Sequence, residues 1–436
     1  MSVEVETRLR RGPLAALRGL LYRPLASYYL LLSSAGLLLV IGLVMVFSAT
    51  AVQSYAADGN AYASVSRQAL FALLGLVAFW FFQRLPARTY RALGTPLLFL
   101  SIALLVLLDL VGVLPGARIG PIHGDATNNL WLYLGPVELQ PSELAKLALA
   151  LWGANILVAK GRAIGRWRDL STPLFPVAGV LFLLVGYNDF GTMVCLLILF
   201  AGLLWAAGVR LRVFAGLTVV ALAGFALLIT LPGFRYRMVR LTSFADSAHC
   251  DRQSSCYQGL HGLYAIADGG WFGVGLGEGR LKWGWLPNGH NDFIFAVIAD
   301  ELGVVGCFVV LALLSVLAYT GLRIARRVDD PFRRLVSAGI TIWLVGQAAI
   351  NIGGVVGLLP ITGLPLPFIS DGGSALIVTL AAVGLLASFA RAEPDAARAL
   401  HARPPDRWVR LLWAPLPPLP RDRDRRSRKR VEERSP

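Results

Sequence analysis

The sequence predicts an all-α polytopic membrane protein: ten transmembrane helices, with a large extracytoplasmic loop between helices 7 and 8. Three observations carry that prediction. AVILMFWYC residues make up 56% of the 436-residue chain and DEKR residues only 15%, whereas soluble domains carry about 25% charged residues. Charge-free runs recur along the chain, and several approach the roughly 20 residues that cross a bilayer as a helix. The connections between them alternate between rich and poor in Lys and Arg, as cytoplasmic and external loops do. A soluble globular protein is excluded, and so is disorder except at the two ends.

Read in order, the spans are Tyr28–Phe47, Ala69–Phe82, Pro96–Leu114, Leu144–Val158, Leu174–Tyr187, Thr192–Ala207, Val213–Leu231, Phe293–Tyr319, Leu335–Ile350 and Ala375–Ala390. Several fall short of the full length, so flanking turns must extend them. Helix is the expected form because alternation of period two is absent and lipid leaves no backbone group unpaired. Ten spans place both termini on one side. With that side cytoplasmic, 32 of the 41 Lys and Arg residues lie inside and eight outside, Lys146 falling within a span. The net charge of +15 is thereby assigned to topology and to contact with anionic membrane lipids, not to nucleic acid.

The organisation expected is a basic cytoplasmic arm (1–26), a ten-helix membrane domain (27–391, with the long outer loop at 232–291) and a disordered Pro/Arg-rich cytoplasmic tail (392–436). A cleaved leader ending near Ser48-Ala49-Thr50-Ala51 is the competing reading of the N-terminus. Its apolar run is longer than the usual 7–15-residue core of a signal peptide, so the span reading is kept. Of four cysteines, Cys195 and Cys307 lie in spans and read as packing residues. Cys250 and Cys256 share the outer loop, where an oxidising compartment favours a local disulfide.

Ionisable groups inside spans are expensive and mark function or mutual neutralisation. The fourth span opens Gln140-Pro141-Ser142-Glu143-Leu144-Ala145-Lys146, and Glu143 and Lys146 share a face at i, i+3. They read equally as a neutralised structural pair or as groups at a polar cavity. Asp189, in Tyr187-Asn188-Asp189-Phe190-Gly191-Thr192, either caps the sixth helix, reaches Lys146, or does both. The loop ending at Asn291 contains Gly269-Gly270-Trp271-Phe272-Gly273-Val274-Gly275-Leu276-Gly277-Glu278-Gly279, where dense glycine lets backbone approach a ligand. Arg280, Lys282, Trp283, Trp285, His290 and Asp292 follow. Cations suit a phosphate and the carboxylate suits a proton acceptor. The alternative is an interfacial tryptophan anchor with Asp292 as N-cap of the eighth helix. A third segment, Asn351 to Ser374, is rich in Gly and Pro beside a span. Irregular backbone at that depth is tolerated where it lines a cavity or is buried in protein.

At these three motifs, Gln140–Lys146, Leu286-Pro287-Asn288-Gly289-His290-Asn291-Asp292-Phe293-Ile294-Phe295-Ala296 and Asn351–Ser374, the sequence resembles the SEDS family of FtsW, RodA and SpoVE proteins. The resemblance runs from Tyr28 to Ala390, and Gly42 to Thr50 with the Pro/Arg-rich tail looks closer to the actinobacterial FtsW branch. It implies the SEDS fold and a peptidoglycan glycosyltransferase that polymerises lipid II outside the cytoplasmic membrane, at the division septum or during elongation. It places the catalytic carboxylate on Asp292, and substrate contacts on Lys282, His290, Arg280, Glu143, Lys146, Asp189, Gln258, Ser370 and Ser374. It also implies a divalent cation (Mg²⁺ or Mn²⁺) held with the help of Asp292, no organic cofactor, and a class B penicillin-binding protein and other divisome proteins as partners. Three positions depart from the family pattern: Asn129-Leu130-Trp131 lacks an arginine, Tyr187-Asn188-Asp189 replaces Gln-Pro-Asp, and Gly372-Gly373-Ser374-Ala375 lacks the final serine. A lipid II flippase using Glu143, Lys146 and Asp189, and an inert scaffold for a penicillin-binding protein, are the competing functions.

Overall fold

The computed structural model describes residues 19, 21, 23–113, 122–124, 130–134, 137–161, 170–229, 255–280, 285–286 and 289–420. Seven of its helices are long and apolar enough to cross a membrane: α1 (Ala26–Asp58), α2 (Ala63–Arg84), α3 (Ala87–Val113), α4 (Pro141–Lys160), α9 (Ile294–Arg327), α10 (Pro331–Val355) and α11 (Gly373–Arg391). Three shorter apolar helices stand where spans five, six and seven were expected: α5 (Leu174–Asn188), α6 (Phe190–Ala206) and α7 (Leu211–Ile229). The flanking turns lengthen the apolar runs as anticipated, most of all in α1, which continues past Phe47 until Gly59 adopts φ 67 and stops it.

Burial sorts the helices into a centre and a rim. In α11, 89% of the best apolar window is buried, against 17% in α9. α11 lies along α2, α3 along α4, α9 along α1 and α10, and α6 along α10. Charge at the helix starts is handled by capping. Pro141 and Pro331 occupy first turns, where a missing N–H costs nothing. Asp330 caps α10 by accepting from Phe332 N at 3.1 Å while pairing with Arg91 at 2.7 Å.

α9 is broken, not continuous. Gly303 sits at φ 68, ψ −165 inside it, a conformation open to glycine and very few other residues. The Gly-rich segment supplies the hydrogen bonds that the break removes. Val274 N donates to Asp300 O at 2.9 Å and Gly275 N to Glu301 O at 3.1 Å, and Val304 N donates to Gly270 O at 3.0 Å. Dense glycine thus serves close backbone wrapping of a helix, where the sequence suggested approach to a ligand.

Three further expectations need correction. The chain is not purely helical: β1 (Ile122–Gly124), β2 (Leu132–Leu134) and β3 (Val137–Leu139) form an antiparallel meander before α4. Three-residue strands are too short to show alternation. The loop before Asn291 carries a helix, α8 (Ser255–Gly269), packed on α9 and α10. Order also continues beyond residue 391, where a disordered tail was expected from 392. Helices α12 (Pro394–Ala402) and α13 (Arg407–Leu412) fold back on the bundle. Trp413 Nε1 donates to Tyr28 Oη at 2.6 Å, and Gln83 Nε2 and Arg84 Nη1 donate to the carbonyls of Trp413 and Leu412 at 3.2 and 3.0 Å. A few tryptophan and arginine anchors outweigh a composition that reads as disordered.

Candidate active site

The site lies at one end of the bundle, where α4, α6, α9 and α11 begin and α10 ends. Asp292 occupies the turn immediately before α9 and is half-buried. It is not the N-cap. That position belongs to Phe293, whose own side chain makes no capping hydrogen bond. The Asp292 backbone is instead tied down by Asn351 at the end of α10, whose Nδ2 donates to Asp292 O at 2.9 Å and to Leu364 O at 2.7 Å. One amide thus joins the turn before α9 to the 360–372 segment.

That segment is fastened at further points. Ser370 Oγ donates to Asn291 O and accepts from Leu366 N, both at 2.7 Å. Asp371 N donates to His290 O at 3.0 Å, and Gln68 Nε2 from α2 donates to Ser370 O at 3.2 Å. Ser374 Oγ, at the start of α11, accepts from Gln140 N at 2.9 Å, closing the start of α4 onto the same patch. Both serines expected to touch substrate also join backbone segments. Arg67 lies 3.7 Å from Asp371 and 3.4 Å from Glu138. Burial holds the Asp371 carboxyl above the usual carboxylate range against the pull of Arg67, and pushes the His290 imidazole down against the pull of Asp371.

Glu143 and Lys146 lie one turn deeper. Lys146 Nζ is 2.7 Å from Glu143 Oε1 and 2.7 Å from Gln347 Oε1, and stands 5.2 Å from the Trp343 ring centre. Both residues are 0% exposed. Gln347 Oε1 also accepts from Trp343 Nε1 at 2.9 Å, and Gln347 Nε2 donates to Pro365 O at 2.9 Å, so the charged pair reaches the 360–372 segment. Asp189 caps α6 by accepting from Thr192 N at 2.9 Å. Lys146 acts on it electrostatically without a direct ion pair.

The remaining expected site residues are spread out. Arg280 is exposed at the end of the Gly-rich segment, and Gln258 is half-buried in α8. Lys282 and Cys250 lie outside the described residues, so the structure does not address the Cys250–Cys256 pair. The structure adds residues that the sequence did not single out. Asn351 and Gln347 are the hubs just described. Asp300 and Glu301 are buried beside the break in α9, where Ser48 Oγ of α1 donates to Glu301 Oε2. Both carboxylates were hidden in what reads as an uninterrupted span.

Beside Asp292 lies a small, partly open cleft. Phe293, Ile350, Val355, Ile361 and Leu364 supply most of its wall, with Asn351, Thr362 and Gly363. Gly363 adopts φ 73, and a Cβ there would stand 3.7 Å from Asp292 Oδ2. Among the described residues no group of three or more His, Cys, Asp or Glu could hold a metal on its own. Mg²⁺ typically takes one or two carboxylates and completes its shell with water and substrate phosphate. A lone Asp292 fits a cation of that kind and does not fit an all-protein cage.

The comparisons with known proteins agree with this architecture. The FtsW/RodA/SpoVE family, described as cell cycle proteins, matches residues 28–394. The probable peptidoglycan glycosyltransferase FtsW of Mycobacterium tuberculosis is 43% identical over 396 residues, spanning 91% of this chain and 74% of that protein. Stage V sporulation protein E of Bacillus subtilis is 36% identical over 357 residues, covering 81% and 94% respectively. In fold, a chain from a peptidoglycan synthase complex, solved for the structural coordination of polymerization and crosslinking, aligns with TM-score 0.64 at 29% identity, covering 83% of this chain and 96% of its own. The rod shape determining protein RodA of Thermus thermophilus aligns with TM-score 0.57 at 27% identity, over 83% and 96%. The chain is a multi-pass membrane protein of the FtsW/RodA/SpoVE family.

Proposed function

We propose that the protein is a peptidoglycan glycosyltransferase of the FtsW type, polymerising lipid II on the outer face of the cytoplasmic membrane. The observation that carries this reading is Asp292 itself. Its side chain lines a cleft, on a turn fixed by Asn351 and Ser370. The Asp292 carboxylate takes the proton of the acceptor's 4-hydroxyl as that oxygen bonds to the donor's anomeric carbon. The bond from that carbon to the diphosphate breaks, and undecaprenyl diphosphate leaves with the electron pair. General-base help of this kind is worth about 10²–10⁴ in rate. A divalent cation, held by Asp292 together with the substrate's diphosphate, would neutralise the leaving group's charge.

The other residues work by holding this geometry. Lys146, Glu143 and Gln347 brace the 360–372 segment through Pro365, and Ser370 and Asn351 brace the turn at Asp292. A flippase path would need ionisable groups ready to exchange partners with cargo. The 0% exposure of Glu143 and Lys146, paired with each other, speaks for bracing. In this reading the seven long helices and three short ones make ten spans, both termini are cytoplasmic, and the site works at the septum. A single-span class B penicillin-binding protein cross-links the product, with other divisome proteins in attendance. Polymerisation of purified lipid II by the wild type and by Asp292→Asn, with that partner present, tests the assignment. Retained polymerisation by the variant would remove Asp292 from the catalytic role.

A further inference from the structure

The cleft beside Asp292 carries a more specific message, which rests on the glycosyltransferase reading for the identity of its ligand. Asn351 is only 5% exposed. Both of its N–H groups face backbone carbonyls, those of Asp292 and Leu364. Carbonyls only accept, so the amide cannot be turned the other way. Its Oδ1 must therefore face away from them, and it is buried without a hydrogen-bond partner among the described residues. Thr362, in the 360–372 segment, has a buried Oγ1 in the same condition. Both residues line the cleft, and the rest of the wall is chiefly aliphatic: Ile350, Val355, Ile361 and Leu364. A buried unsatisfied polar group is costly, and two in one small cleft, one an acceptor and one able to donate, suit a ligand that answers both.

We propose that this cleft is a subsite for the acetamido group of the acceptor sugar. The ligand's N–H donates to Asn351 Oδ1, which can only accept. Its C=O accepts from the Thr362 hydroxyl, which can donate, and its methyl lies among Ile350, Val355 and Ile361. A bare sugar hydroxyl would meet one polar atom and leave the aliphatic wall without a partner. A cation held at Asp292 would leave the space between the aliphatic side chains unfilled. Glycine at position 191, in the first turn of α6, lets Thr362 pack directly against that helix. A Cβ there would come within 2.5 Å of Thr362 O and 2.9 Å of Thr362 Cβ. The group that the cleft holds then sits on the amino-bearing carbon of the sugar, while Asp292 addresses the hydroxyl that reacts.

The test uses full-length protein in nanodiscs and two synthetic lipid-linked disaccharide acceptors that lack a leaving group. One carries 2-acetamido on its terminal sugar and the other 2-hydroxyl in its place. Equilibrium binding and transfer from lipid II are measured on the same samples. The hydroxyl keeps one polar contact, so the acetamido group's second neutral hydrogen bond, at about 1 kcal/mol, and its buried methyl, at about 0.8 kcal/mol, give the wild type about a 20-fold binding preference for the acetamido acceptor. Thr362→Val removes one bond without changing shape, and Ile361→Phe narrows the cleft at a half-buried wall position. Each is expected to cut the preference to within a few-fold. Equal binding of the two acceptors by the wild type overturns the inference, and so does an unchanged preference in both variants. Absence of transfer with the binding preference intact would count against the glycosyltransferase reading and leave the subsite standing.

Discussion

Removing the Lys146 ammonium should destabilise the protein, and removing Glu143 with it should restore most of the loss. Lys146 is 0% exposed, and its charge is shared between Glu143 Oε1 and Gln347 Oε1 at 2.7 Å each. Glu143 Oε2 already has no hydrogen-bond partner among the described residues. In Lys146→Met the Glu143 carboxylate would be left buried with no counter-ion, a loss that typically costs about 3–5 kcal/mol. Glu143→Gln/Lys146→Met removes both charges at nearly constant volume, so the double variant should recover most of that loss. Intrinsic tryptophan fluorescence during thermal unfolding, in detergent and in nanodiscs, reads all four corners of the cycle. Trp343, 5.2 Å from the ammonium, is a local reporter. A single variant as stable as the wild type, or a double variant no better than the singles, would refute the account of the pair as a bracing element.

Other outcomes follow from the same structure. Trp413→Ala removes the 2.6 Å hydrogen bond to Tyr28 and its packing on Phe79; amide exchange across residues 407–420 should become several-fold faster, and unaltered protection would show that the arginine contacts suffice. Mass spectrometry of non-reduced peptides should recover Cys250 linked to Cys256, and two free thiols in protein from an oxidising compartment would end that proposal. The class B penicillin-binding protein should raise specific activity several-fold at saturating lipid II by favouring the competent arrangement around Asp292; equal rates with and without it would show that it does not activate.

Much of this architecture was legible in the residues because lipid imposes one simple demand, and charge-free runs answer it. The spans from Tyr28, Ala69 and Pro96 appear as α1, α2 and α3, with lengths adjusted by caps such as Gly59. Glu143 and Lys146 were visible as a pair because their contact is local, three residues apart. The rest rests on distant partners that no local pattern announces. Gln347 meets Lys146 from 201 residues away, and Ser370 meets the Asn291 carbonyl from 79. Asn351 looked like one polar residue in a glycine-rich run, and only the fold shows that its amide is committed to two carbonyls. Glycines 269–279 signalled close approach correctly, but the approaching partner is the broken turn of α9. The tail misled because proline and arginine dominate its composition, whereas Trp413 and Arg391 decide where it lies.

The central claim is that Asp292 is the base of a lipid II polymerase and not a structural residue. Asp292→Asn keeps the size of the side chain and leaves the backbone carbonyl that receives Asn351 untouched, so insertion and thermal stability should match the wild type. Gel analysis of glycan strands formed from purified lipid II by the complex with its penicillin-binding protein is the direct measurement. The account predicts polymer from the wild type and a loss of about 10²-fold or more in the variant. Polymer made at the wild-type rate by a stable Asp292→Asn protein would contradict it.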